Sequence, residues 1–161
     1  MFVRKTFKGV AAGAALIGAT VLGSGTAVAA PNWQPVAGPF YDCETAVEHP
    51  AAPKVRFQGC LVVSSLGKAQ VVLVANNFSG KPVTMSGRIV SDFGSADCNE
   101  KTLPTGTNHA CYGPTDVVED CWEWHASQGG PYGGYVTLTV NGVPHQVKSS
   151  AVCLNWGEPP F

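Results

Sequence analysis

Positive charge is scarce in this 161-residue chain and nowhere clustered beyond Lys8. After Arg4, Lys5 and Lys8 the remaining seven cations are scattered along the sequence at 54, 56, 68, 81, 88, 101 and 148. A surface that neutralises phosphates needs several cations together, so nucleic-acid binding is excluded. Metal-ligand and redox spacing is missing as well. There is no C-x-x-C, and the closest cysteines, Cys111 and Cys121, are ten apart, which argues against structural zinc. Neither G-x-S-x-G nor H-E-x-x-H occurs. No phosphate loop or cofactor box is present, and no cofactor is expected. Beyond the first 30 residues no segment keeps an i, i+3, i+4, i+7 apolar stripe for three turns, so helix is minor.

The start of the chain is organised differently. Arg4, Lys5 and Lys8 precede a soft apolar run from Val10 to Leu22, and Ala27-Val28-Ala29 follows. This is the three-part layout of a secretory signal peptide, with cleavage expected after Ala29. The run is broken by Gly13 and Gly18 and falls short of the roughly 20 residues that span a bilayer. No later segment is long enough, so no membrane association is expected once the signal is removed. Residues 30–161 keep seven Lys and Arg against eleven Asp and Glu, a formal charge of −4. Leu103-Pro-Thr-Gly-Thr107 lacks the residue that a sortase signal places between Pro and Thr-Gly. No cysteine follows the apolar run to carry a lipid. The expected location is therefore secreted and extracellular.

All six cysteines, Cys43, Cys60, Cys98, Cys111, Cys121 and Cys153, follow the signal. An even count in a small exported chain implies a disulfide framework. Of the 15 possible connectivities, sequential pairing makes the least topological demand: Cys43 to Cys60, Cys98 to Cys111, Cys121 to Cys153.

The expected organisation is a signal peptide over 1–29, an extended Pro/Gly-rich lead-in over 30–54 and one β domain over 55–161. Glu44 to Val47 could form a short helical turn. Val55–Ser64 and Gln70–Asn76 are β-branched runs separated by a turn at Ser65 to Lys68, a hairpin pattern. The second run is apolar on both parities, as a strand covered on both faces would be. Val83–Val90 alternates Val83, Met85 and Ile89 against Thr84, Ser86 and Arg88. Asp92–Thr107 reads as a long loop before a short strand at His109–Gly113. Asn141-Gly142 marks a type I′ turn that pairs Val140 with Val143, Leu138 with His145 and Val136 with Val147. Pro144 then confines the returning strand to an edge. The fold class expected is all-β: an antiparallel β-sandwich, immunoglobulin-like and disulfide-stabilised, with a small β-barrel as the alternative.

The Ala/Gly/Val-rich signal with its early Arg-Lys, together with GTNHACYGPT at residues 106–115, resembles the small secreted proteins of actinobacteria. That resemblance implies export and supports the sandwich, and implies no particular activity. Asn77-Phe78-Ser79 is formally an N-glycosylation sequon.

The densest chemistry is at Cys121 to Tyr135, CWEWHASQGGPYGGY. Trp122 and Trp124 share a parity, so on a strand they would form an aromatic contact face, joined by Tyr132 and Tyr135. The alternative packs both indoles in the core. Glu119, Asp120 and Glu123 beside these tryptophans would suit a glycosidase, but three acids within five residues diverge on a strand. His109 and Cys111 could form a nucleophilic pair only if Cys111 were free. Asp116, Glu119 and Asp120 lack calcium-loop spacing. The function expected is a secreted, non-enzymatic module binding an extracellular protein or cell-surface glycan. The alternatives are a hydrolase inhibitor presenting residues 97–112 and a small hydrolase of wall polymer. The oligomeric state is open.

Overall fold

The strand β5 (Lys68–Asn77) explains the layout of the whole domain. Val71, Leu73 and Ala75 occupy one parity and Val72 and Val74 the other, and all five are buried. The computed structural model describes residues 33–36, 40, 42–118 and 132–151, and shows how both faces are covered. On one side β4 (Ala52–Val63) pairs with β5 as the expected hairpin, and on the other β8 (Thr107–Tyr112) pairs with it. The N-terminal strands β1 (Gln34–Pro35), β2 (Asp42–Cys43) and β3 (Val47–His49) add to β8 and β4, and β9 (Asp116–Val117) adds to β5.

A second sheet faces the first. Its order is β11 (Val143–Lys148), β10 (Gly134–Val140), β6 (Val83–Ser91), β7 (Gly94–Leu103), antiparallel throughout. Between the sheets lie Phe57, Leu61, Leu73, Met85, Ile89, Leu103, Val136 and Leu138, all shielded from solvent. Fully burying such a side chain contributes about 1.5–3 kcal/mol relative to exposure. The chain crosses between sheets from β5 to β6 and from β7 to β8. It is an antiparallel sandwich with the strand order of immunoglobulin-like domains.

Two disulfides brace it with the expected pairing. Cys98–Cys111 joins β7 to β8 and therefore one sheet to the other. Cys43–Cys60 joins β2 to β4 within one sheet, where the two residues sit directly opposite. Cys121 and Cys153 lie outside the described residues.

Three expectations are corrected. Residues 94–103 form a ten-residue strand rather than a loop. Their polar composition suits a sheet edge, because only Cys98 and Leu103 are fully buried. A bulge at Asn99–Glu100, opposite Met85 to Gly87, bends this strand, and the Trp33 indole Nε1–H donates to Asn99 O at 2.8 Å. Residues 44–47 are not helical: Val47 enters β3, since pairing with Phe57 on β4 outweighs local helix propensity. The lead-in, finally, belongs to the sandwich. β1 and β2 pair on opposite edges of the first sheet, and Val36 and Phe40 cover Cys60, Val72, Val74 and Ala110. Val36 and Phe40 thus strap the sheet's outer face.

Close approach marks one corner. The chain after β11 crosses β4 so tightly that a Cβ on Gly59 would lie 2.6 Å from Ser149 Cα. There Ser149 N–H donates to Gly134 O and Ser150 N–H to Gly59 O, linking the two sheets through backbone.

The β10–β11 hairpin has the register expected from Asn141-Gly142, with φ of 51° and 77° at the two turn residues. Gly142→Val asks a β-branched residue to hold positive φ and is expected to cost about 1 kcal/mol or more. Thermal unfolding of the variant checks this, and an unchanged melting temperature would contradict the turn.

Candidate functional site

Four turns gather at one end of the sandwich. Asn77 pairs with both Val55 and Thr107, Val83 with Leu103, and Val140 with Met85, so the β3–β4, β5–β6, β7–β8 and β10–β11 connections are neighbours.

Asn77 organises this end. Its side chain is completely buried. Nδ2 donates to Lys81 O at 2.8 Å and Leu103 O at 2.9 Å, while Oδ1 accepts from Ser79 N–H at 3.0 Å and Ser79 Oγ–H at 2.7 Å. All four hydrogen-bonding positions of the amide are used. The turn is tied down further by Gly106 N–H to Asn77 O (2.7 Å), Phe78 N–H to Lys54 O (2.9 Å) and Gly80 N–H to Thr105 Oγ1 (3.1 Å). Three separate loops are thereby locked to one another. The sequon at Asn77 is closed to modification in the folded protein, since the nitrogen that would carry a glycan is buried and doubly bonded.

Phe78 is presented on this fixed turn with 59% of its surface exposed. Lys54 and Lys81 flank it, their carbonyls held by Phe78 N–H and by the Asn77 amide respectively, and both are exposed. Lys54 has φ of 65°, in the left-handed region that favours glycine. It lies in a stretch of β4 that is longer than its partner: Glu48 pairs with Arg56 and His49 with Ala52. Bulges of this kind re-aim side chains.

Beneath the same end, the rings of His49, Phe57 and His145 form a cluster, with centroids 6.0, 6.0 and 5.6 Å apart. His145 thus faces apolar neighbours, as its hairpin parity requires. His49 is buried; Ala51 N–H donates to Nδ1 and Nε2–H donates to Leu138 O, each at 3.2 Å. This pair of contacts selects the neutral Nε2–H tautomer. Burial lowers the His49 pKa; the Leu138 carbonyl opposes the shift, nearby His145 adds to it, and the Val143 carbonyl opposes it. The unfolded chain, with a histidine pKa of about 6.5, then binds a proton that the folded chain resists. His49 therefore contributes full stability above about pH 6.5, and that contribution is lost as pH falls through the lowered folded value. His109 acts in the same direction, through burial and then Lys101. The melting temperature is expected to fall between pH 7.5 and 5, and His49 should titrate below the ordinary histidine range by NMR. A flat stability profile would contradict this.

The expected binding aromatics fall elsewhere. Trp122 and Trp124 lie outside the described residues. Tyr132 is buried and stacked on Phe93, with centroids 5.8 Å apart, so its ring belongs to the core rather than to a contact face. Tyr135 is 44% exposed and sits opposite Val90 on the outer face of the second sheet. One row along, Arg88 pairs with Asp97 at 2.8 Å, well exposed to solvent. Tyr135 stands at the opposite end of β10 from the four turns, so it and Phe78 do not share a site.

Among the chemistry-bearing candidates, Cys111 is bonded to Cys98 and has no thiolate to offer His109. Ser65 and Lys68 have S-x-x-K spacing, yet they lie across the β4–β5 turn rather than on one helical face. Asp116 accepts its neighbour Val117 N–H. The presented segment 97–112 is largely strand, leaving only Pro104–Gly106 as turn. No group of three metal-ligating side chains occurs among the described residues. No helix among them is long and apolar enough to cross a membrane.

Fold and site define an immunoglobulin-like sandwich braced by disulfides, with a locked loop end that displays one aromatic ring. No family model matches the sequence, and no curated protein matches it.

Phe78, Lys54 and Lys81 were not among the residues singled out from sequence. The available signal was an aromatic set among turn formers, Asn-Asn-Phe-Ser-Gly-Lys-Pro at 76–82, where a ring has no strand face to bury.

Proposed function

We propose that the protein is an exported, non-enzymatic binding module that engages an extracellular protein or cell-surface glycan through its locked loop end. One observation carries this reading: a large aromatic side chain is held in solvent on a turn anchored by the buried, fully hydrogen-bonded Asn77 amide. Ordering a contact surface normally opposes association by about 0.5–1.5 kcal/mol for each side chain immobilised. Here folding has already ordered the backbone of the turn, so a partner meets a preformed surface. Aromatic anchors of this kind dominate the energy of interfaces in which they occur. Export is supported by the three-part signal and by the disulfides, which persist in oxidising compartments.

The test is direct. The secreted protein, purified from culture and immobilised, is exposed to culture supernatant and to isolated cell wall. Saturable retention of a macromolecule is expected, and failure to retain any would overturn the binding reading.

A further inference from the structure

The geometry points to a particular kind of ligand for the Phe78 end: a protein with an apolar pocket that admits one phenyl ring and is rimmed by carboxylates. The inference rests on the binding-module reading and sharpens it.

The argument begins with what the loop end withholds. A glycan is recognised by hydrogen-bonding groups aimed at its hydroxyls, but the polar side chains immediately around Phe78 are already engaged. Asn77 has no donor or acceptor left, Ser79 Oγ bonds to Asn77 Oδ1, and Thr105 Oγ1 accepts from Gly80. Beside Asn77, the groups left open to a partner are the Phe78 ring and the ammonium groups of Lys54 and Lys81, while the β10–β11 turn adds the exposed Asn141 and Val143 side chains. A ring projecting from a turn asks for a concave apolar receptor.

Charge supplies the rim. In the turn stretches 50–54, 77–82, 103–107 and 140–143, Lys54 and Lys81 are the only charged residues, and no carboxylate is present. Phe78 N–H donates to Lys54 O and the Asn77 side-chain amide donates to Lys81 O, which keeps the backbone of both lysines fixed beside Phe78. Carboxylates around the receiving pocket would complement this pair and steer encounter.

Backbone conformation adds an independent observation. Lys54 holds φ of 65° where glycine would be relaxed. Strained positions persist where the surrounding structure over-determines them, and they cluster at ligand clamps. A lysine rather than a glycine in such a position fits a requirement for its side chain.

Three variants of the full secreted protein test the inference: Phe78→Ser, Lys81→Glu and Lys54→Gly. The macromolecule retained by the parent protein is purified, and its binding to parent and variants is measured by surface plasmon resonance at low and high salt. The expected ligand is a protein whose affinity falls about 30-fold or more with Phe78→Ser. Its association should slow about tenfold with Lys81→Glu and should slow as salt rises. Lys54→Gly should weaken binding while its melting temperature stays at or above that of the parent, a combination that loss of folding cannot produce. A retained polysaccharide would overturn the inferred ligand class. A retained protein indifferent to Phe78 and Lys81 would overturn the inferred surface while leaving the binding-module reading intact. Retention of nothing would overturn both.

Discussion

Asn77→Ala is expected to destabilise the protein by about 3 kcal/mol, although Asn77 lies in no hydrophobic cluster. The substitution removes the partners of Leu103 O, Lys81 O and Ser79 N–H together. Leu103 is completely buried, so water cannot readily replace the lost donor at its carbonyl. Each buried polar group left unsatisfied costs about 1–3 kcal/mol. For a domain of this size the melting temperature should drop by roughly 10 °C. Asn77→Asp separates the contributions: it keeps an acceptor for Ser79 but sets a carboxylate against two carbonyl oxygens, and should do at least as much damage as alanine. Urea denaturation of both variants is the measurement. If Asp were tolerated, the two donated bonds could not be what holds the loop end together.

Removing the inter-sheet bridge by the double change Cys98→Ala, Cys111→Ala is the second large effect. The cysteines are 13 residues apart, and closing a loop of about that length constrains the unfolded chain by about 3 kcal/mol in the chain-entropy view. Loss of a native disulfide from a small secreted domain costs about 2–5 kcal/mol. The cost should be realised, because both sulfurs come from buried residues on strands of opposing sheets and no ladder hydrogen bonds join those two strands. The midpoint of urea unfolding should shift accordingly. A loss below about 1 kcal/mol would mean that side-chain packing alone holds β7 against the first sheet. Non-reducing peptide mapping should recover Cys43–Cys60 and Cys98–Cys111 from the parent protein.

Local chemistry made part of this fold legible before any coordinates. The Asn141-Gly142 turn set the β10–β11 register residue by residue, because a two-residue I′ loop leaves no other pairing. The double apolar parity of β5 announced a strand covered on both faces, although the sequence did not say that Val36 and Phe40 would provide the outer cover. β7 escaped notice because period-2 alternation is visible only when one face is apolar, and an edge strand with a bulge keeps little of that face. The loop end escaped for a different reason. Phe78 owes its presentation to bonds between Asn77 and Leu103, 26 residues apart, and between Phe78 and Lys54, 24 residues apart. Turn composition carries no record of contacts that distant. Tyr132 shows the converse: an aromatic in a glycine-rich stretch looks exposed until Phe93 is found stacked on it.

The strap across the first sheet has a bearing on how a partner can bind at all. An open strand edge is an invitation for another polypeptide to add itself in register, a route to recognition and to aggregation alike. Here β1 and β2 end the first sheet with two residues each, and Pro35 in β1 has no N–H to donate. In the second sheet the ladder alternation turns the backbone of Pro144 outward from β11, and the bulge interrupts β7 on the other side. Each of these edges is short or broken, so strand addition finds little continuous template. Contact with another polypeptide at the described edges is thereby left to side chains rather than to backbone pairing.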